Sequence, residues 1–165
     1  MLCLHIVVFV NDDMAKSRQS LIKTACGNKV KSQSERKIDD WLYRNGWISI
    51  YEPTIVFSKG YETKPDWVLL PQNDVCKPTI VEYWGLSVLK PNASYWAKEA
   101  QPEYQKRRAK KEQHYKSHES YHYIGLEMPD LKRLDETLGK RLNELKCESG
   151  LNCGCIHIVD SQDIE

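Results

Sequence analysis

The sequence contains no apolar run long enough to cross a membrane and carries almost no net charge. A bilayer span needs about 20 apolar residues, whereas the run at residues 2–10 is interrupted by His5 and followed by Asp12 and Asp13. It also lacks a basic leader, so we interpret it as a buried strand and not as a signal peptide. With a net charge of +1, any attraction to nucleic acid must come from a local patch. These absences predict a cytoplasmic protein without membrane contact.

Closely spaced cysteine pairs of the CxxC type are missing as well, although the chain has six cysteines. Without a secretory signal, we expect reduced thiols in a cytosolic compartment. An alternative is a structural zinc site formed by Cys147, Cys153 and Cys155, with Cys26, His157 or another thiol as a fourth ligand. This spacing does not fit two zinc knuckles, which favours scattered thiols.

The order of apolar patterns predicts a single α/β domain. At 165 residues, the chain is long enough for one hydrophobic core. Its elements read as strand, helix, three strands, helix, strand and helix, which predicts a sandwich around a mixed sheet. We divide the chain into an extension with a strand (1–29), a core (30–146) and a cysteine-containing tail (147–165).

Three helices are predicted from their end signals. Ser32 and Glu35 form a capping box at the start of the first helix, and Gly46 supplies its left-handed exit. Pro102 is a good first-turn residue and is expected to begin the second helix. The last helix would begin at Pro129 and bury a stripe of leucines. That stripe comprises Leu131, Leu134, Leu138, Leu142 and Leu145.

Two apolar runs, at residues 64–70 and 80–85, are joined by a polar loop and predict a β-hairpin. If the loop is centred near Asp74, antiparallel pairing places Asp66 opposite Glu82 or its neighbour, with Cβ atoms about 5 Å apart. Two like charges at that distance repel each other. A divalent cation would relieve the repulsion, since Mg²⁺ favours one or two carboxylates plus waters. The alternative is two unrelated acids on a sheet edge.

Between residues 106 and 116 the predicted second helix is strongly basic, with only Glu112 to oppose its cations. Its basic residues are Lys106, Arg107, Arg108, Lys110, Lys111 and Lys116. At helical spacing, one face collects Tyr104, Arg107, Arg108, Lys111 and Tyr115. Such a face suits contact with nucleic-acid phosphates. A solvated basic face is the alternative.

Taken in order, these segments resemble the motifs of the PD-(D/E)xK nuclease superfamily. The chain looks most like the branch that is often fused to superfamily 1 helicases or found in stand-alone phage and mobile-element proteins. The resemblance covers roughly residues 30–145. The motifs lie at residues 30–35, 51–53, 64–67, 82–86 and 104–115, with a strand and a helix following. The resemblance implies an α/β, restriction-endonuclease-like αβββαβ core with a mixed central sheet flanked by helices.

The resemblance also implies an activity, that of a Mg²⁺- or Mn²⁺-dependent deoxyribonuclease that hydrolyses DNA phosphodiester bonds endonucleolytically. Asp66, Glu82 and the backbone carbonyl of Tyr83 would bind the metal through hard oxygen ligands. Glu35 would hold a water from the helix side. Glu52 would touch the metal shell or position a basic residue.

One position departs from the superfamily pattern. A lysine is expected two residues after the second acid, and here that residue is Trp84. The branch commonly lacks the lysine there, which makes Lys111 on the next helix the candidate substitute, with Lys110, Lys106 and Arg107 as alternatives one turn or less away. Arg107 and Tyr115 would then support the scissile phosphate. The residues expected to contact nucleic acid are Arg107, Arg108, Lys110, Tyr104 and Tyr115.

A second hypothesis is a nuclease-fold domain that has lost catalysis and binds nucleic acid or a protein partner. Trp84 in the lysine position motivates it, whereas the retained Glu35, Asp66 and Glu82 argue against it, because an inactive site has no need to cluster carboxylates. DNA is the expected partner in both cases. A helicase or another DNA-processing protein, and a second copy in a homodimer, are further expected partners.

Overall fold

A computed structural model describes most of the chain, in six separate ranges. It covers residues 7–10, 20–56, 62–72, 75–86, 94–145 and 157–160, and of 7–10, 96–97 and 157–160 the backbone only. Within these ranges the strands are β1 (Val7–Val10), β2 (Ile22–Lys23), β3 (Lys29–Val30), β4 (Ser49–Tyr51), β5 (Thr54–Val56), β6 (Glu62–Thr63), β7 (Trp67–Leu69), β8 (Thr79–Trp84), β9 (His122–Glu127) and β10 (His157–Asp160).

The α-helices in the described ranges are α1 (Gln33–Arg44), α2 (Tyr95–Lys116) and α3 (Lys140–Glu144). A 3-10 turn at Met128–Lys132 and a π-helical turn at Asp135–Gly139 precede α3. The central sheet has the strand order β4-β7-β8-β9. β7 pairs antiparallel with both β4 and β8, and β9 runs parallel to β8. The predicted mixed α/β architecture is therefore confirmed.

Side chains alternate between the two faces of the central sheet, as the pleat requires. Trp67, Leu69 and Val81 pack in one cluster with buried residues of α1 and of the segment 131–142. Val68 and Ile80 face the other way, into a smaller cluster that includes Tyr115 of α2. The sheet is thus covered by α1 and the C-terminal turns on one face and by α2 on the other.

Helix α1 begins and ends as its sequence predicts. Ser32 Oγ accepts a hydrogen bond from the Glu35 amide, and Glu35 Oε2 accepts one from the Ser32 amide, both at 3.1 Å. Gly46 follows the helix at φ 74°, the left-handed conformation that a glycine adopts without steric cost. Ile38 and Leu42 are fully buried on the face that meets the sheet.

Helix α2 begins at Tyr95, so the predicted start near Pro102 is wrong. The Lys98 amide already donates to the Ser94 carbonyl at 3.2 Å. Pro102 instead lies inside the helix, where it cannot donate to the carbonyl four residues earlier. Both Pro102 and Lys98 are exposed, so water can satisfy that carbonyl.

The C-terminal helix is less regular than its leucine pattern predicts. Four of the five leucines are buried and Leu145 packs against the same cluster, which confirms the stripe. The prediction of a single regular helix is wrong, because a 3-10 turn and a π-helical turn come before α3. Trp41 lies at this point, with its indole donating to Asp135 at 2.8 Å and its ring against Gly139. The widened turn accommodates that side chain.

Strands from both ends of the chain join a second sheet, with the order β10-β1-β5-β6. β1 pairs in parallel with β10 and antiparallel with β5. The strand of the N-terminal extension and the strand of the tail therefore pair with the core through β5. In the described ranges, no helix has the length and apolar character that spanning a bilayer demands.

Candidate active site

The hairpin register brings Asp66 and Glu82 to one face of the central sheet. Trp67 pairs with Val81, and Val68 pairs with Ile80. One further step along both strands places Asp66 opposite Glu82, which is the register predicted from the sequence. Both carboxylates share the face that carries Val68 and Ile80, and this face is covered by α2.

Asp66 accepts hydrogen bonds from backbone amides of the two chain segments that flank it. Its Oδ2 accepts a hydrogen bond from the Tyr83 amide at 2.7 Å, and its carbonyl accepts one from the Glu52 amide at 2.9 Å. Burial, with the charge of Glu82 as a further cause, raises the pKa of Asp66 to about 7, although the Tyr83 and Lys111 contacts act in the opposite direction. A carboxyl group in this state favours a nearby cation once it ionises.

Glu82 is the more deeply buried of the two acids, at 2% exposure. Its Oε1 accepts hydrogen bonds from Lys111 Nζ at 2.8 Å and from the Tyr115 hydroxyl at 2.9 Å. Burial raises the pKa of Glu82, although Lys111 and Tyr115 act in the opposite direction. Both protein donors bind the same oxygen.

The chemistry of the donor set fits a divalent cation. In the part of the chain that the structure describes, Asp66 Oδ1 and Glu82 Oε2 have no protein hydrogen-bond donor. Two desolvated carboxylates, each with one oxygen left over, are the hard ligands that Mg²⁺ and Mn²⁺ prefer. The described residues contain no group of three or more His, Cys, Asp or Glu side chains arranged for a metal. The site therefore offers two side-chain ligands, with waters and backbone oxygens for the rest.

Lys111 is brought to the carboxylates from α2. Besides Glu82, its ammonium donates to the Lys64 carbonyl at 2.9 Å. The ammonium is therefore fixed between the first strand of the hairpin and the carboxylate of the second. The structure thus brings Lys111, a candidate site residue from the sequence, into contact with Glu82.

Trp84 lies under α2, two residues after Glu82. It shares the α2-facing side of β8 with Glu82, because the two residues are two apart. Tyr104 packs edge-on against its ring, with centroids 6.1 Å apart, and the Arg108 guanidinium lies 5.4 Å from its centroid. Its indole donates to the Tyr123 hydroxyl at 2.8 Å. The tryptophan thus fills the space under α2, and Lys111 supplies the ammonium farther along the helix.

Glu35 lies near the carboxylates but already has several partners. Its Oε2 accepts hydrogen bonds from the Lys31 and Ser32 amides and from the Tyr51 hydroxyl at 2.8 Å. Its charge contributes to the raised pKa of Asp66, so it is within electrostatic reach of the site. Glu35 therefore has a structural role at the start of α1, and its second oxygen faces no donor among the described residues.

Glu52 links the site to a basic residue through a strained backbone. Its carboxylate forms an ion pair with Lys31. Its φ of 45° is the only positive value among the described residues other than glycine, and this conformation disfavours an L side chain. Glutamate carries no sequence signal for such a backbone, so only the structure reveals it.

The basic face of α2 divides into exposed and engaged residues. Lys106, Arg107 and Lys110 are exposed. Arg108 instead forms ion pairs with Glu112 and Glu127, each at 2.7 Å. These ion pairs and the Trp84 contact bind the Arg108 guanidinium to other residues of the protein.

The two tyrosines expected to contact nucleic acid lie inside the fold to different degrees. Tyr104 is half-buried against Trp84. Tyr115 is 1% exposed and binds Glu82 and Thr63. Of the five predicted nucleic-acid contacts, Arg107 and Lys110 are those that present a cation to solvent.

Three residues that belong to the site or its support were missed by sequence reasoning. Thr63 on β6 contacts Tyr115 at 2.9 Å, and Tyr51 on β4 contacts Glu35. Asp39 is buried on α1 and accepts hydrogen bonds from the Trp67 indole, the Asn28 amide and the Cys26 thiol. The only sequence signal for a buried Asp39 was its position directly after Ile38 on the apolar side of the helix.

The proposed zinc ligands mostly lie outside the described residues. This applies to Cys147, Cys153, Cys155 and the side chain of His157. Cys26 is described as a free thiol that donates to Asp39 at 3.0 Å. Burial raises the pKa of this thiol, with Asp39 as a further cause, so it is a poor thiolate ligand.

Comparison of the chain with protein-family models, with curated proteins and with solved structures finds no match in any of the three. The case for a function therefore rests on the geometry of the carboxylates and their partners.

Proposed function

We propose that this chain is a divalent-metal-dependent nuclease that hydrolyses DNA phosphodiester bonds. The observation that carries the proposal is the meeting of Asp66, Glu82 and Lys111 at one point on the α2-covered face of the central sheet. Two neighbouring acids can bind a divalent cation, and a lysine beside them can stabilise developing negative charge, as metal-assisted phosphate chemistry uses.

The element order supports the proposal. Within the central sheet the chain runs α1, β4, β7, β8, α2 and β9, with only β9 parallel to its neighbour. A restriction-endonuclease-like αβββαβ core has this order, and it would carry its acids on the second and third strands. β7 and β8 occupy those places here.

Asp66 and Glu82 would hold Mg²⁺ or Mn²⁺ through the oxygens that receive no protein donor. The ion would supply positive charge for the phosphate and lower the pKa of a water. Lys111 would donate a hydrogen bond to the phosphate oxygen on which negative charge develops. Its second contact, with the Lys64 carbonyl at 2.9 Å, would hold the ammonium in position.

Arg107 and Lys110 would bind DNA through backbone phosphates, since both are exposed on α2. Such contacts position the nucleic acid without reading its sequence. Affinity for DNA should therefore fall as salt rises. The overall charge of +1 makes this local face the source of the attraction.

A catalytically silent binding domain is the second candidate, and one observation favours it. Lys111 and Tyr115 together satisfy Glu82 Oε1, so the buried charge has a protein counter-ion without a metal. This domain would bind DNA equally well in Mg²⁺ and in EDTA.

The test is cleavage of labelled single-stranded, duplex and branched DNA in Mg²⁺, Mn²⁺ or EDTA. We expect metal-dependent cutting by the wild type. Asp66→Asn and Lys111→Met should each lower the rate by roughly 100-fold or more, since a lost transition-state contact commonly has that effect. Lys110→Met is the matched control and should weaken DNA binding only.

Two outcomes would decide against the nuclease. Undiminished cutting by Asp66→Asn would remove the proposed metal site. DNA binding by the wild type without cleavage of any of the three substrates, in either metal, would favour the silent binding domain.

A further inference from the structure

A hydrogen-bonded chain connects Glu82 to the second sheet through a buried tyrosine. The Tyr115 hydroxyl donates to Glu82 Oε1 at 2.9 Å and lies 2.9 Å from the Thr63 hydroxyl. Thr63 belongs to β6, which pairs with β5 and not with the central sheet. All three residues are buried, at 1% exposure for Tyr115, 2% for Glu82 and 6% for Thr63.

The direction of the chain follows from the chemistry of its members. An ionised carboxylate can only accept hydrogen bonds, so the single phenol proton of Tyr115 points to Glu82. The phenol oxygen must then accept the proton of Thr63. The sequence of donors is Thr63, Tyr115 and Glu82, and no member can reverse its role while Glu82 is charged.

We propose that Tyr115 is a positioning residue that orients Glu82 for a divalent cation, with Thr63 fixing the phenol in turn. Together with Lys111, it binds Oε1, and neither donor binds Oε2. Fixing one oxygen of a carboxylate restricts rotation about its last bond, so the other oxygen is held ready for the ion. Outer partners of this kind strengthen metal binding by orienting the ligand.

Burial separates this role from a contact with the substrate. At 1% exposure, the Tyr115 hydroxyl cannot reach a phosphate on the surface of α2. Its ring also packs against Tyr121 and Tyr123, with centroids 6.1 Å and 5.4 Å apart. The tyrosine therefore acts through Glu82, and its removal should leave DNA affinity unchanged.

This inference rests on the metal site of the proposed function but does not require cleavage. The experiment is calorimetric titration of Mn²⁺ into metal-free full-length protein without DNA. The variants are Tyr115→Phe and Thr63→Val, with Tyr123→Phe as the matched control. Tyr123 lies beside Tyr115, but its hydroxyl accepts a hydrogen bond from the Trp84 indole instead of binding Glu82. Asp66→Asn identifies the titrated site.

We expect Tyr115→Phe to weaken Mn²⁺ binding by roughly 10-fold, at the lower end of the effect of orienting partners. Thr63→Val should weaken it by roughly 2- to 3-fold, because it acts one hydrogen bond farther away. Combining both changes should add little to Tyr115→Phe alone, since they interrupt one chain. Tyr123→Phe should bind Mn²⁺ like the wild type, and DNA affinity in EDTA should change by less than about twofold in Tyr115→Phe.

Two results would overturn the positioning role of Tyr115. Wild-type Mn²⁺ affinity in Tyr115→Phe would overturn the inference, as would a wild type without Asp66-dependent Mn²⁺ binding. If Tyr115→Phe does not fold, Thr63→Val carries the test, and unchanged affinity there overturns the inference. A wild type that binds Mn²⁺ but cuts no DNA would end the nuclease proposal alone, while a weakened Tyr115→Phe would still support the positioning role.

Discussion

The two faces of the central sheet are built from the same strands yet differ in chemistry. On the face toward α1, Trp67, Val81 and Leu126 are buried among apolar side chains. On the face toward α2, the alternate positions of the same hairpin carry Asp66 and Glu82. The alternation of a strand thus lets one hairpin stabilise the fold with one set of residues and hold charge with the other.

The contrast has an energetic side. The apolar face gains free energy from burial, whereas the charged face buries carboxylates whose pKa values are raised by desolvation. Perturbed ionisable groups of this kind cluster at functional sites. We therefore expect the α1-facing side to govern stability and the α2-facing side to govern function.

The largest effect on stability is expected on the apolar face. Leu126 is fully buried on β9, and Leu126→Ala should lower the free energy of unfolding by about 2–5 kcal/mol through lost burial and a residual cavity. Chemical denaturation measures the change. A loss below about 1 kcal/mol would mean that this face is less tightly packed than the contacts indicate.

On the charged face, we expect the free energy of unfolding to depend on pH. The pKa of Asp66 is raised from 3.8 to about 7, so between these values the folded protein holds a proton that the unfolded chain has lost. The free energy of unfolding should fall as pH rises through this window, by at most about 1.4 kcal/mol per pH unit. Denaturation in metal-free buffer from pH 4 to pH 8 tests this.

Asp66→Asn should flatten that decline and be more stable than the wild type at pH 8. Glu136→Gln is the control, because Glu136 is exposed in a surface pair with Arg133 and should alter stability by at most about 1 kcal/mol. A wild type whose stability does not fall between pH 5 and pH 7 would contradict the buried-charge account of this face.

The smallest effect is expected at Glu52, on the border between the two sheets. Its φ of 45° costs an L residue about 1–2 kcal/mol that glycine does not pay. Glu52→Gly should therefore be more stable than Glu52→Ala by about 1 kcal/mol, since both variants lose the partly exposed Lys31 pair. Thermal unfolding of the two variants compares them. An alanine variant as stable as the glycine variant would show that the backbone here is unstrained.

Sequence reasoning reached the parts of the molecule that depend on local pattern. The capping box at Ser32 and Glu35, the hairpin register and the leucine stripe all follow from the spacing of neighbouring residues. The start of α2 was missed because Pro102 resembles a first-turn residue, whereas in the structure the helix begins at Tyr95 and continues through the proline. The π-helical turn was missed because Trp41, whose indole binds Asp135 in this turn, is remote in sequence.

The candidate site shows the same division. The pairing of Asp66 with Glu82 could be predicted from one hairpin, and Lys111 entered only through a resemblance. The buried role of Tyr115 and its contact with Thr63 could not be read from the sequence, because β6 reaches α2 only in the folded chain. Helical spacing alone placed Tyr115 with the exposed cations Arg107 and Lys110, and burial separates it from them.

The most direct test of the central claim is a crystal structure of the protein grown with Mn²⁺, with anomalous diffraction recorded at the manganese edge. The account predicts one strong anomalous peak within bonding distance of Asp66 Oδ1 and Glu82 Oε2, with Tyr115 still bound to Oε1. Density that contains no manganese at these carboxylates, with Lys111 and Tyr115 alone satisfying Glu82, would contradict it.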